Sequence, residues 1–571
     1  MDWGSDAMAR VLAQTDLRYV ALNPGASFRG LHDSLVNTGP GMPKLLLCIH
    51  EETAVSIAQG WAKVTGRPIG VILHSNVGLM HASMSIYNAW CDRMPVVIVG
   101  ATGPVDAARR RPWIDWIHTS QDQGSLVRDF LKWDDQPGSV NAACQALAEA
   151  PARAATAPCG PVYVNLDSAL QEQKLDRAPA MPDVARMLPA LPPVPAAADV
   201  ARAADLLSSA ARLVILVGRV SRNQGDWDGR IALVEHLGAQ VITDFKVGAS
   251  FPTAHPATTG VAGFFPDAQA KETIRDADVI LMLDWLDPAG FLRSVFGETP
   301  APARLINASM DMALQKGWVR DAGAMVPADI SLQCAPDDLV SALCDSLSVK
   351  VPAQIPAPQP SRKVVDWPMT AQDVAAVLRE TFAGRPTTVV RGPLSWTGND
   401  WPVEGPLDML GYDGGGGIGS GPGMAVGAAL ALRDHHPDRF PLAVLGDGDF
   451  LMNASALWTA VNQKVPLLIV VQNNHSFFND EVHQETIARV RGRPVENRSI
   501  GVEMSGPLIA VAEVARGFGA DVYGRVETPD DLRAALQAAI ATVDAGGTAV
   551  IEVETAKGYA PSMVNALRSE A

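Results

Sequence analysis

Short, uninterrupted runs of branched apolar residues recur along this chain, each followed by an Ala-rich stretch of helical character. Residues 68–73 read PIGVIL, 95–99 PVVIV, 213–217 LVILV, 279–283 VILML, 442–445 LAVL and 466–471 PLLIVV. A strand that is apolar at every position has both faces buried, which calls for a parallel sheet covered by helices on its two sides. Two Pro- and Ala-rich stretches, 178–198 and 351–361, lack any apolar period and read as extended surface linkers. The 571 residues exceed what a single core can fill. The expected fold class is therefore α/β, three consecutive doubly wound parallel-sheet domains over 1–177, 199–348 and 367–571.

Charge and composition remove several function classes. A formal net charge of -16 argues against a nucleic-acid partner, because phosphate binding needs clustered Lys and Arg. The run Arg109-Arg110-Arg111 is too short to change that. The first residues carry no basic stretch followed by an apolar core, so no signal peptide is expected, and no apolar run reaches the roughly 18 residues of a membrane span. Six scattered cysteines without metal-ligand spacing read as reduced thiols of a cytoplasmic protein.

The sharpest motif lies in the last third. The apolar run ending at Leu445 leads into Gly446-Asp447-Gly448, and 24 residues intervene before Asn473-Asn474. A helical stretch at 453–463 and the run at 466–471 fill that interval. Two adjacent parallel strands put both polar turns at their carboxyl ends, where open α/β sheets bind ligands. A carboxylate and a neutral amide oxygen suit Mg²⁺, which takes one or two protein oxygens while phosphates complete its octahedron. Alone, either motif is an ordinary turn.

Together they resemble the motif of the thiamine-diphosphate-dependent decarboxylase and acetohydroxyacid synthase superfamily. The resemblance implies thiamine diphosphate and Mg²⁺ as cofactors, with metal ligands Asp447, Asn474 and the Ser476 main-chain carbonyl. It sets Gly446, Gly448 and Asp449 against the diphosphate. In the segment His50-Glu51-Glu52-Thr53, Glu51 matches the family glutamate that activates the cofactor's aminopyrimidine. At a helix N-terminus, a Glu is also favourable on dipole grounds alone. The stretch from Gly414 to Gly423 is either a flexible linker or the family's turn beneath the ring; in the latter case Gly416 accepts from the amino group and Ile418 is the apolar wedge. Ser395 is expected near the diphosphate. The family builds each site from two subunits, which implies a homodimer or homotetramer.

Segments around the reacting centre point to different relatives. Leu73-His74-Ser75-Asn76 is similar to the benzoylformate decarboxylases, where that His is catalytic; His74 is thus a candidate acid/base or a structural residue. His118, in Ile117-His118-Thr119, falls where pyruvate decarboxylases carry a His-His-Thr run. Asp480 matches their active-site Glu, or else is a solvated loop residue beside Glu481. After Asn23-Pro24-Gly25 the benzoylformate decarboxylases have a Ser that contacts the substrate carboxylate; here Ala26 stands there, with Ser27 next, as benzaldehyde lyase has Ala. Phe477, Phe478, Trp285 and Trp396 are pocket wall or core.

The expected function is cleavage or formation of a C–C bond beside the carbonyl of a small substrate, by a decarboxylase, a hydroxy ketone lyase or an acetolactate-synthase-like carboligase. Three alternatives remain: an FAD-containing acetohydroxyacid synthase or oxidase, a 2-hydroxyacyl-CoA lyase, and a non-catalytic regulatory paralogue. The middle domain shows no flavin pattern, and no Lys/Arg cluster demands CoA. A regulatory paralogue would be expected to lose Glu51 or Asp447, and both are present.

Overall fold

The computed structural model describes residues 1–311, 325–350, 368–559 and 564. The expected linker at 351–361 and the expected domain boundary at 367 lie outside the described residues. Three sheets follow one another, and every strand pair within them is parallel.

The first sheet runs β2-β1-β3-β4-β6-β5, from β1 (Tyr19–Leu22), β2 (Lys44–Leu47), β3 (Gly70–Ile72), β4 (Val96–Thr102), β5 (Trp133–Asp135) and β6 (Pro161–Asp167). The second runs β11-β10-β9-β7-β8, from β7 (Leu213–Val217), β8 (Gln240–Thr243), β9 (Val279–Leu283), β10 (Arg304–Ala308) and β11 (Ile330–Leu332). The third runs β12-β13-β14-β16-β15, from β12 (Thr387–Arg391), β13 (Phe440–Gly446), β14 (Leu467–Asn473), β15 (Asp521–Val526) and β16 (Thr548–Glu554).

Alternate residues of the central strands enter different cores, which is why these strands are apolar throughout. Val96 and Ile98 of β4 join one cluster, while Val97 and Val99 join another with Met8, Leu12 and Leu147. Residues Ala443 and Leu445 of β13 share the first of these clusters with Ile57, Ala58 and Val426, so the first and third sheets are cemented by one core. Leu442 and Val444 instead share a core with Val217, Leu281 and Val389, which ties the second sheet to the third.

Two helices carry the contact between the first and third sheets: Glu51–Thr65 and Gly421–His435. A Cβ on Gly60 would stand 2.1 Å from the Met424 carbonyl oxygen, and one on Gly427 1.9 Å from that of Ile57. Only glycine allows backbones this close.

The helical stretch expected at 453–463 is the helix Ala456–Asn462, and a separate helix, Asp447–Met452, precedes it. The break falls at Asn453, whose side-chain oxygen accepts from Thr53 Oγ1 (2.7 Å) and Ser455 Oγ (3.1 Å), a polar anchor that competes with helix continuation. The first linker is extended apart from a 3-10 turn at Val184–Arg186, and its last two residues already belong to the helix Ala197–Ser208. All six cysteines are free thiols. Among the described residues no helix is long and apolar enough to cross a membrane.

Candidate active site

β13 and β14 pair with Gly446 level with Gln472, so the turns that follow them lie side by side. Asp447 opens the helix Asp447–Met452. It is 3% exposed; its Oδ1 accepts from the Gly448 N–H (2.9 Å), and its Oδ2 has no hydrogen-bond partner among the described residues. Burial pushes its carboxyl up to about 6. Across the turn, Asn474 Oδ1 accepts from the Ser476 N–H at 2.9 Å. Asp447, Asn474 and Ser476 line one cavity of about 790 Å³, together with Gly446, Gly448, Asp449, Ser395, Gly416, Ile418 and Asp480. Ten residues expected at the site thus meet in one place. Asp480 sits in the first turn of the helix Phe478–Val490 and faces this cavity, as do Phe477 and Phe478. Trp396 is core: it is fully buried, stacked on Trp401, with its indole N–H donating to the Ala371 carbonyl.

The glycine-rich stretch is a clamped loop, not a flexible linker. Asp413 Oδ1 accepts from the Gly416 N–H (2.7 Å), and Asp449 Oδ1 from those of Gly419 (2.7 Å) and Gly421 (3.2 Å). Arg391 Nη2 lies 3.3 Å from both carboxylates, with its guanidinium over the Tyr412 ring. Asn88, from the first sheet's side, donates to the Gly417 carbonyl (3.2 Å). Burial pushes the Asp413 carboxyl up to about 7. The sequence reading missed Arg391 and Asp413; Asp413 stands directly before the glycine run, but Arg391 ends a strand far upstream and carries no local signal.

Glu51 is the first residue of its helix, 6% exposed, with His50 as the cap that accepts from the Glu52 N–H. Its Oε2 lies 3.0 Å from Nδ1 of His81, and the His81 ring stacks on His50 with centroids 5.1 Å apart. Gly78, one turn before His81 on the helix Ser75–Cys91, leaves room for the Glu51 side chain. His81 was not foreseen, because nothing local in the sequence links it to Glu51.

His74 caps that same helix, and its Nδ1 lies 2.9 Å from Ser27 Oγ, which also accepts from the Ser75 N–H (3.1 Å). The His118 ring meets His74 edge-on at 4.7 Å. The two histidines named from sequence are therefore neighbours, with Ser27 as an unforeseen third member. Burial, and next the His118 charge, hold His74 below its ordinary value, while Glu51 opposes them weakly. His74 is therefore neutral at pH 7, and kcat/KM should fall only on the acid side of about 6.5. Replacing His118 by Asn should move that acid limb upward, towards 6.5, which a pH profile would read. The stability effect has the same sign: the unfolded chain takes up the proton first, so stability falls as pH drops below about 6.5.

Family models match the chain in three consecutive blocks. The N-terminal TPP binding domain of thiamine pyrophosphate enzymes matches residues 2–126, the central domain 200–313 and the C-terminal TPP binding domain 393–553. The chain belongs to the thiamine pyrophosphate enzyme family. It is 25% identical over 504 residues to the acetolactate synthase isozyme 1 large subunit of Escherichia coli (strain K12), covering 84% of this chain and 83% of the relative. It is also 25% identical over 535 residues to the benzoylformate decarboxylase of Pseudomonas aeruginosa, covering 90% and 92%. The crystal structure of benzoylformate decarboxylase from Polynucleobacter necessarius shares the fold, with a TM-score of 0.78 at 20% identity over 98% of this chain and 100% of that one.

The cavity of this thiamine pyrophosphate enzyme suits the cofactor's polar end. The orphaned Asp447 Oδ2 is a buried acceptor waiting for a cation or donor. A Cβ built on Gly446 or Gly416 meets no atom within 4 Å, so space lies directly over both backbones. Glu51, His74, His118 and Ala26 do not line this cavity. Ala26 borders a separate, open pocket with Gly25, Arg29 and His32.

Proposed function

We propose that the protein is a thiamine-diphosphate- and Mg²⁺-dependent lyase and carboligase that breaks or makes the C–C bond beside a carbonyl. The observation that carries this reading is the buried Asp447 Oδ2 without a partner, in a cavity that also holds Asn474, Ser476 and Asp480. In this reading Asp447, Asn474 and the Ser476 carbonyl hold Mg²⁺, a hard cation that takes oxygen ligands. Gly446, Gly448 and Ser395 border the diphosphate, and Gly416 and Ile418 border the ring. The bound cofactor supplies a carbon nucleophile that then serves as an electron sink. Glu51 holds and moves the proton at the aminopyrimidine, with His81 fixing the carboxylate's orientation. His74, His118 and Asp480 move protons at the substrate's oxygen.

Glu51 and Asp447 belong to half-sites that do not meet within one chain, which supports a homodimer or larger assembly completing each site. Exposed apolar side chains flank both halves: Leu47, Ile49 and Met80 near Glu51, and Met452 beside the glycine loop. The free cysteines are consistent with a cytoplasmic setting.

Lyase chemistry is favoured over oxo-acid decarboxylation by Ser27. Its hydroxyl is already bound to His74 and to the Ser75 N–H, and its predecessor Ala26 has none to offer a carboxylate. The test is aldehyde and CO₂ release from pyruvate, benzoylformate, benzoin, acetoin and a cyclic 1,2-diketone. Aldehyde without CO₂ from a hydroxy ketone is the expected result; CO₂ from an oxo acid as the dominant activity would overturn the lyase reading.

A further inference from the structure

The proposed metal ligands Asn474 and Ser476 stand on either side of a single residue. For a side-chain oxygen and a main-chain carbonyl so close in the chain to face one ion, the backbone must turn sharply between them. His475 makes that turn. Its φ is +57°, in the left-handed region that the Cβ of an L-residue disfavours. His, like Asn and Asp, enters this region more readily than most side chains, yet a residue held there still costs free energy that the surrounding fold must offset.

The fold holds His475 at three points. Its N–H donates to Asn473 Oδ1 (3.1 Å), its carbonyl accepts from the Met504 N–H (2.7 Å), and its Nε2 lies 2.8 Å from Glu554 Oε1. Asn473 ends β14, Glu554 ends β16, and the two are paired in register, so the imidazole is tied to the neighbouring strand. Glu554 Oε2 lies 2.7 Å from Arg525 Nη2 on β15, which carries the tie one strand further. Asn473 is fixed in turn through its Nδ2, which donates to Glu552 Oε1 (2.7 Å). On the far side of the turn, Ser476 Oγ donates to Glu481 Oε1, and Lys557 Nζ donates to that same oxygen (2.6 Å). Asn474 and Ser476 line the cofactor cavity; His475 and Glu554 do not.

We infer that His475 is a positioning residue for the Mg²⁺ loop: tied to Glu554, it locks the left-handed turn that sets the Asn474 side chain and the Ser476 carbonyl beside Asp447. This rests on the reading of Asp447, Asn474 and Ser476 as the Mg²⁺ ligands. Mg²⁺ demands near-ideal octahedral geometry, so a loop ordered before the ion arrives binds it more tightly than one the ion must order. A glycine would take the same φ without strain but would leave the turn free to adopt many others. Histidine combines tolerance of the turn with a side chain long enough to reach β16.

The test is calorimetric Mg²⁺ binding to the full chain at saturating thiamine diphosphate, which needs no turnover. His475→Asn still tolerates the left-handed turn, but its shorter side chain falls short of Glu554. It should weaken Mg²⁺ binding about tenfold, the low end of the cost of removing a group that orients metal ligands. Glu554→Ala should match it. Their double variant should bind no more weakly than either single one, as expected of two residues acting through one contact. Glu554→Gln keeps an acceptor oxygen for the imidazole and should stay within about threefold of the parent. His475→Gly relieves the turn while removing the tie; its cofactor-free melting temperature should stay close to the parent's while Mg²⁺ affinity falls at least about tenfold.

If Asp447→Ala weakens Mg²⁺ binding while the His475 and Glu554 variants keep parent affinity, the positioning role fails and the metal site stands. If Asp447→Ala also keeps parent affinity, the metal reading fails and takes the positioning role with it. Affinity that falls only in step with melting temperature, or additive losses in the double variant, would reduce His475 to a residue of the fold and overturn the proposal.

Discussion

Glu51→Gln lowers kcat by about 10³-fold while leaving the affinity for thiamine diphosphate within roughly tenfold of the parent enzyme. Gln matches Glu in shape, so the packing against Gly78 and a contact to His81 survive. What is lost is a group that can accept and return a proton at the aminopyrimidine. The size of the effect follows from the range of about 10² to 10⁴ typical of positioned acid–base groups. One structural feature raises the expectation towards its middle. Glu51 is nearly excluded from water at 6% exposure, so bulk solvent cannot replace it. Steady-state kinetics together with calorimetric cofactor binding separate the two quantities. A kcat within tenfold of the parent's, with normal binding, would remove Glu51 from the activation step.

Asp447→Ala weakens joint binding of Mg²⁺ and thiamine diphosphate by at least about 10²-fold, so the cofactor is lost on gel filtration. Loss of groups that merely support a metal ligand costs about 10- to 100-fold, and Asp447 is read as a ligand itself. Its carboxylate offers the one anionic oxygen of the proposed set; Asn474 and the Ser476 carbonyl are neutral. The fold should survive, because the hydrogen bond of Asp447 Oδ1 is to the adjacent Gly448 N–H and Oδ2 holds nothing. Circular dichroism and thermal melting of the cofactor-free variant are the controls. Retention of both Mg²⁺ and cofactor at parent affinity would refute the metal assignment, and catalysis by residual loading in Asp447→Asn would read intermediate.

These two residues differ in how legible they were. Asp447 and Asn474 directly follow two neighbouring strands of one sheet, β13 and β14, joined by a crossover of two short helices. Apolar runs mark such strands from sequence, and a right-handed crossover between parallel neighbours leaves little freedom in where their ends fall. The cavity position of Gly416, Ile418, Ser395 and Asp480 was foreseen by resemblance, but the clamp that holds the glycine loop was not. Arg391 ends β12, Asp413 precedes the loop and Asp449 follows β13, so the three meet only because those strands are adjacent. For His81 and Glu51, the pairing depends on how two helices of the first sheet cross; for Ser27 and His74, on β1 lying beside β3.

The sequence by itself determined the class of fold, the order of three parallel-sheet units and the cofactor motif, because all three rest on periodicity and on turns between neighbouring strands. Tertiary structure decided the contacts around the candidate residues: that of His81 with Glu51, the engagement of Ser27 with His74 and the Arg391 clamp. Each of these joins residues distant in the chain through packing of particular shapes, and apolar patterning says that surfaces will meet without saying which side chains face each other across them.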